Sequence, residues 1–280
     1  MSKFLLCALA VLILLPSCRK AYDYIREHPD AHDTLCRVIK LNVRGVLGNP
    51  DEFTISYNAK GNPVSILDAS PPGNNGNEDQ YFRYDRSNRL TDFINTFIGT
   101  NVAFWWHKYA YPRKGFITDT VFEYTGRSDG PAPIASGPGL QYIYGYSLDT
   151  RDRIAKVWTL SPDPHQPPQL IRDIVYDANG NLPLSNPVFY YDDMVNVYRT
   201  NKVWQFVYQN YSRNNVLRPT TPANPALPPY PPPPPYNDFG LPLYLQTIAD
   251  PNVASFNENN TNPTMEITYA CSASKGPIDY

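Results

Sequence analysis

The chain has 280 residues, a formal net charge of −2, 42% hydrophobic residues, 30 Pro and 22 Tyr. This length holds one large domain or two small ones, and the interspersed charges leave no basic stripe of the kind a nucleic-acid surface needs. Abundant Tyr favours strands, frequent Pro disfavours long helices, and cysteines at 7, 18, 36 and 271 make neither a dense disulfide framework nor a zinc-ligand spacing.

In chain order, Met1-Ser2-Lys3 is a short positive region and Phe4 to Leu15 a continuous apolar run. The run is too short to cross a bilayer, which takes about 20 residues. It predicts a signal peptide over 1–17. Leu15-Pro16-Ser17-Cys18 follows directly. Residues 18–34 read as a polar tether, broken at Pro29. His28 and His32 lie four apart, a metal-like spacing only on a helix, and Pro29 disfavours helical backbone at His28. No metal site and no cofactor are expected.

Residues 35–280 read as one β-rich domain. Strands are predicted at 35–46, 53–57, 81–84, 90–97, 103–111, 117–124, 140–146, 154–160, 171–176, 188–191, 202–208, 243–248 and 265–271, from alternating apolar residues and β-favouring types. Between them runs a seven-residue box. Its clearest copy is Tyr176-Asp177-Ala178-Asn179-Gly180-Asn181-Leu182. Tyr ends the incoming strand, the Asp carboxylate accepts amides of the turn, Gly takes the left-handed position, and Leu re-enters a strand. Further copies begin at Tyr57, Tyr84, Tyr111, Leu148, Tyr191 and Tyr236. Asn88 and Asp152 stand at the Gly position in two of them, and Val195, a poor fit, in a third. Several neighbours recur about 27 residues apart, which suits two strands and two connections. The predicted fold is all-β: an antiparallel meander of hairpins, twisted or rolled. A Pro-rich loop over 219–235 interrupts the domain and favours polyproline II.

The Leu15-Pro16-Ser17-Cys18 stretch resembles the bacterial lipobox, which implies acylation of Cys18 as the mature N-terminus. The Tyr-Asp…Gly boxes resemble the YD repeats of RHS-type proteins. Together the features look like the small lipoproteins with YD-like hairpins found in Bacteroidetes. That resemblance implies an outer-membrane lipoprotein held by its N-terminal lipid, facing the periplasm or the cell surface. It carries no catalytic residue across.

No nucleophile elbow and no phosphate loop are present. His107 and His165 lack a neighbouring nucleophile motif. Asp149 with Asp152, and Asp192 with Asp193, are the obvious carboxylate pairs, and all four lie in boxes where a turn role explains them. Adjacent Trp105 and Trp106 must point to opposite faces of a strand, so one belongs to the core and the other is a candidate stacking platform. Cys36 and Cys271 fall on the first and last predicted strands and are a candidate disulfide. Cys36 is in phase with Val38 but not with Ile39, Leu41 and Val43, so a bulge is needed if the latter face the core. The leading expectation is a non-catalytic envelope protein acting as a binding or structural module for a glycan or protein partner. The alternatives are a glycan-active enzyme with paired carboxylates and a docking subunit of a larger assembly.

Overall fold

The chain alternates apolar and polar residues where it pairs. In Phe116–Glu123, Ile117, Asp119 and Val121 are buried while their neighbours are not, the period of a strand with one face on a core. The structure, a computed structural model, describes residues 36–44, 50–69, 78–97, 103–123, 139–163, 165–184, 189–217, 234–246 and 264–271. The predicted signal peptide, Cys18, the tether and residues 219–233 of the Pro-rich loop lie outside them.

The strands are β1 (Cys36–Arg44), β2 (Pro50–Tyr57), β3 (Pro63–Asp68), β4 (Glu78–Tyr84), β5 (Leu90–Phe97), β6 (Ala103–Arg113), β7 (Phe116–Glu123), β8 (Gly139–Leu148), β9 (Ile154–Leu160), β10 (Gln169–Asp173), β11 (Tyr190–Tyr191), β12 (Val216–Leu217), β13 (Tyr244–Gln246) and β14 (Thr264–Cys271). Twelve form one sheet in the order β10-β9-β8-β7-β6-β5-β4-β3-β2-β1-β14-β13, and β11 pairs with β12 apart from it. Every pairing is antiparallel. The fold is therefore all-β, a meander of hairpins. Among the described residues it does not close into a barrel; β10 and β13 are its edges.

The meander breaks sequence order where β14 returns to lie beside β1. Cys36 opposes Cys271, and the register slips between Val38 and Lys40. The slip leaves Ile39 as a bulge, which resets the phase of the strand. Buried Val38 and partly buried Leu41 then reach the same core. The Cys36 and Cys271 sulfurs are bonded, with Cα atoms 4.0 Å apart.

One sheet face carries the main core, with Ile55, Phe82, Phe93, Tyr109, Ile154 and Val157 among its members. The opposite face carries a smaller cluster, Ile94 and Trp106 with Tyr81 and Phe122 against them. Ile94 and Ile154 are fully buried, each stabilising the fold by about 2–3 kcal/mol.

Residues 202–207 form a helix where the sequence predicts a strand over 202–208. Helix α1 (Lys202–Val207) starts at Asn201, whose side chain accepts the Val203 amide, an N-cap bond. A 3-10 turn, Val197–Thr200, precedes it, capped by Asn196. Val203, Trp204, Phe206 and Val207 all pack on the main core, the i, i+1, i+3, i+4 set of a helix face. In a run this short that set also passes for a buried strand. The Phe206 ring meets Tyr109 at 5.0 Å and Tyr146 at 5.7 Å, edge-on in both. Two changes come together here, since the box at Tyr191 also fails to reverse the chain. Val195 is not left-handed there; its amide donates to Gly240 instead.

Candidate functional site

The boxes place their polar groups on themselves. Side-chain oxygens of Asn58, Asp85, Asp149, Asp177 and Asn237 each accept the amide four residues on, at 2.8–3.0 Å. Gly61, Asn88, Gly115, Asp152, Gly180 and Gly240 all have positive φ, 58–85°. The fifth box position is thus left-handed in every copy but the one at Tyr191. Burial alone would raise the Asp149 carboxyl, but the Arg153 and Arg151 amides and the Arg153 guanidinium hold it below its usual 3.8.

The box tyrosines do something the sequence did not announce. Tyr84 donates its hydroxyl to the Pro63 carbonyl at 2.6 Å, Tyr111 to Leu90 at 2.8 Å, Tyr176 to Ile154 at 2.9 Å and Tyr191 to Leu182 at 2.8 Å. Each acceptor is the seventh residue of the preceding box. Tyr269 closes on Pro242, the seventh residue of the last box, at 2.8 Å, and Tyr57 on Val38 at 2.6 Å. The ladder skips Ile117, because the next box opens with Leu148, and Val197, because Tyr236 donates to Asp192 instead. Arginine at the sixth box position joins two boxes. Arg89 and Arg153 each pair with the Asp of their own box at 2.8 Å. Their guanidinium carbons lie 4.6 and 3.7 Å from the ring centroids of the next box's Tyr111 and Tyr176, within cation–π range.

One member of each carboxylate pair is likewise occupied, and Asp152 and Asp193 are exposed. Asp149 serves its turn, and Asp152 holds the left-handed position. Asp192 accepts from the Met194 and Asn215 amides, the Asn215 side chain and the Tyr236 hydroxyl. The tryptophans separate as the strand requires. Trp106 is 9% exposed and donates to Asp92 at 2.7 Å. Lys108 and Arg83 both approach its ring, at 4.6 and 5.6 Å. Trp106 therefore packs. Trp105 lies half-buried on the other face, two residues from His107.

His107 and Asp119 meet on a diagonal across β6 and β7, His107 lying opposite Val121 and Asp119 opposite Tyr109, with Nδ1 and Oδ2 2.9 Å apart. Asp119 is 1% exposed and also accepts the Tyr146 hydroxyl at 3.1 Å. Gln209 donates to that hydroxyl at 3.3 Å and accepts from Arg172. Burial, then the Asp119 charge, raises the Tyr146 hydroxyl well above its usual range. Asp119 orients the imidazole, which is what a catalytic base needs. Among the described residues, however, no Ser, Thr or Cys hydrogen-bonds to His107, and no three His, Cys, Asp or Glu side chains group as a metal site. His165 lies in an exposed turn, where its amide donates to Asp163.

A groove of about 320 Å³ opens at the far end of the sheet from the boxes, between the start of β8, the end of β9 and the start of β10. Gln141, Tyr142, Thr159, Ser161, Gln166 and Gln169 supply its polar and aromatic wall. Tyr142 is 50% exposed. The sequence points to Trp105 or Trp106 as the aromatic platform; the exposed aromatic of the described twelve-stranded sheet is Tyr142, whose only sequence signal is the Tyr142-Tyr144-Tyr146 alternation. A scan of family models finds no match to the chain, and a search of curated proteins finds none either.

Proposed function

We propose that the chain is a lipid-anchored protein of the outer membrane, related to the YD-hairpin lipoproteins, that acts as a non-catalytic binding or structural module. One observation carries the module reading. The recurring Tyr hydroxyls and Arg guanidinium groups hold box to box, the Asp carboxylates close their own turns, and Gly takes the left-handed place. This supports a scaffold. The anchor rests on the apolar run and Cys18. Labelled palmitate is expected to incorporate into the wild-type chain expressed in a Gram-negative host and not into Cys18→Ala. Equal labelling of the variant would overturn the anchor. Protease digestion of intact cells then separates the periplasmic leaflet from the cell surface.

A docking role has its own support. Edge strand β10 exposes Leu170 at 42% and Ile171 at 51%. Crosslinking followed by co-purification tests it; recovery of the chain alone would remove this reading.

A further inference from the structure

The groove at the end of β8 and β9 differs from the rest of the surface in one chemical respect. Of the chain's residues 18% are charged, yet none that lines the groove is. An ionic ligand would find no counter-charge there, and its desolvation would go uncompensated. Gln141, Gln166 and Gln169 each carry an amide that donates and accepts, and Thr159 and Ser161 carry hydroxyls that do the same. Such a wall matches a ligand whose own groups both donate and accept at every position, which describes sugar hydroxyls.

Tyr142 adds the second element. Its ring stacks on Tyr144 with centroids 5.9 Å apart and planes 23° from parallel. Tyr144 in turn packs on the main core. One ring face is thus supported from below while half of the side chain stays exposed. A preset aromatic face attracts the weakly positive C–H face of a sugar ring, since the π-cloud is negative above its plane. The groove's 320 Å³ lies at the small end of ligand sites, which start near ~300 Å³. It suits a short run of rings lying along an open surface.

We infer that this groove is a binding subsite for a neutral oligosaccharide, with Tyr142 as the stacking platform and the glutamine amides as the hydroxyl-reading groups. The inference rests on the binding-module reading and names its ligand class.

The test uses the full chain, solubilised in detergent, titrated calorimetrically with cellohexaose, maltohexaose, xylohexaose, mannohexaose and chitohexaose, and with hexagalacturonate as the anionic arm. At least one neutral hexasaccharide is expected to bind, and hexagalacturonate not. Tyr142→Ala should weaken that binding about tenfold with the melting temperature unchanged, Tyr142→Phe should retain it, and Gln166→Ala should weaken it several-fold. Binding by no neutral sugar, or binding that Tyr142→Ala leaves intact, would overturn the subsite. The two readings fail separately. Palmitate on Cys18 without sugar binding removes the subsite alone. Tyr142-dependent sugar binding by a chain that takes no palmitate removes the anchor and keeps the subsite.

Discussion

At one end of the sheet the chain reverses in boxes at Tyr57, Tyr84, Tyr111 and Leu148, each with a left-handed residue at the fifth place. All but the Tyr111 box, which has Pro112 there, also carry an Asp or Asn acceptor at the second. At the other end the connections cover 45–49, 69–77, 98–102, 124–138 and 161–168, from five to fifteen residues. The disulfide and the bond from Tyr57 to Val38 also lie at the box end. The groove lies at the other. The contrast teaches where to look for function. An end fixed by recurrent turn chemistry has little freedom to vary. An end joined by unequal segments can change its surface without disturbing the hairpins.

Perturbations at the box end should therefore be costly. The largest acts on five ladder tyrosines together. Burial raises Tyr111 to about 12, and raises Tyr57, Tyr84, Tyr176 and Tyr269 further. Hydroxyls with raised folded values stabilise fully below the ordinary 10.0 and lose that contribution as pH rises through the folded value. Chemical denaturation should show stability falling steeply from pH 10 upward; a flat profile to pH 12 would contradict the ladder. Next comes reduction of Cys36–Cys271, which closes a separation of 235 residues and should cost about 2–5 kcal/mol by urea titration. Gly180→Val, at φ 84°, should cost about 1–3 kcal/mol in the same titration. Tyr84→Phe, which leaves the Pro63 carbonyl without its donor, should cost about 1–2 kcal/mol. The smallest effect has the opposite sign. Leu148→Tyr supplies the missing rung toward Ile117 and should stabilise by about 1 kcal/mol. Thermal melts that show destabilisation would mean that the gap is required by packing around Leu148.

Much of this was legible in the sequence. The turn letters mark the hairpins, because an acceptor at the second position and a residue tolerant of positive φ at the fifth are what a tight reversal demands. The tyrosine hydroxyls were not legible. Strand preference accounts for Tyr and Phe alike, so nothing in a single box announces that the oxygen is used. The signal lay in the constancy of Tyr over Phe among the copies. Strand β3 was absent from the predicted strands because Pro63 opens it, a place where a missing amide costs nothing. The apolar spacing of helix α1 fits both periods over so few residues, and the cap at Asn201 is what separates them. The His107–Asp119 pair required the register of β6 on β7, which no local pattern supplies. Which ring stays exposed was not legible either: Tyr142 is 50% exposed, and alternation along a strand says only which residues share a face.

The ladder also has a direction. Each hydroxyl reaches back to a carbonyl earlier in the chain, 9 to 27 residues away. A hairpin arriving N-terminus first therefore finds its anchor already in place and waits for nothing still to come. Strand β1 is the exception, since its partner β14 lies more than 200 residues further on. The sheet is laid out as a zipper with one clasp: a truncation that removes β14 takes the clasp and leaves the earlier rungs their partners, whereas deletion of an internal hairpin strands the Tyr of the next.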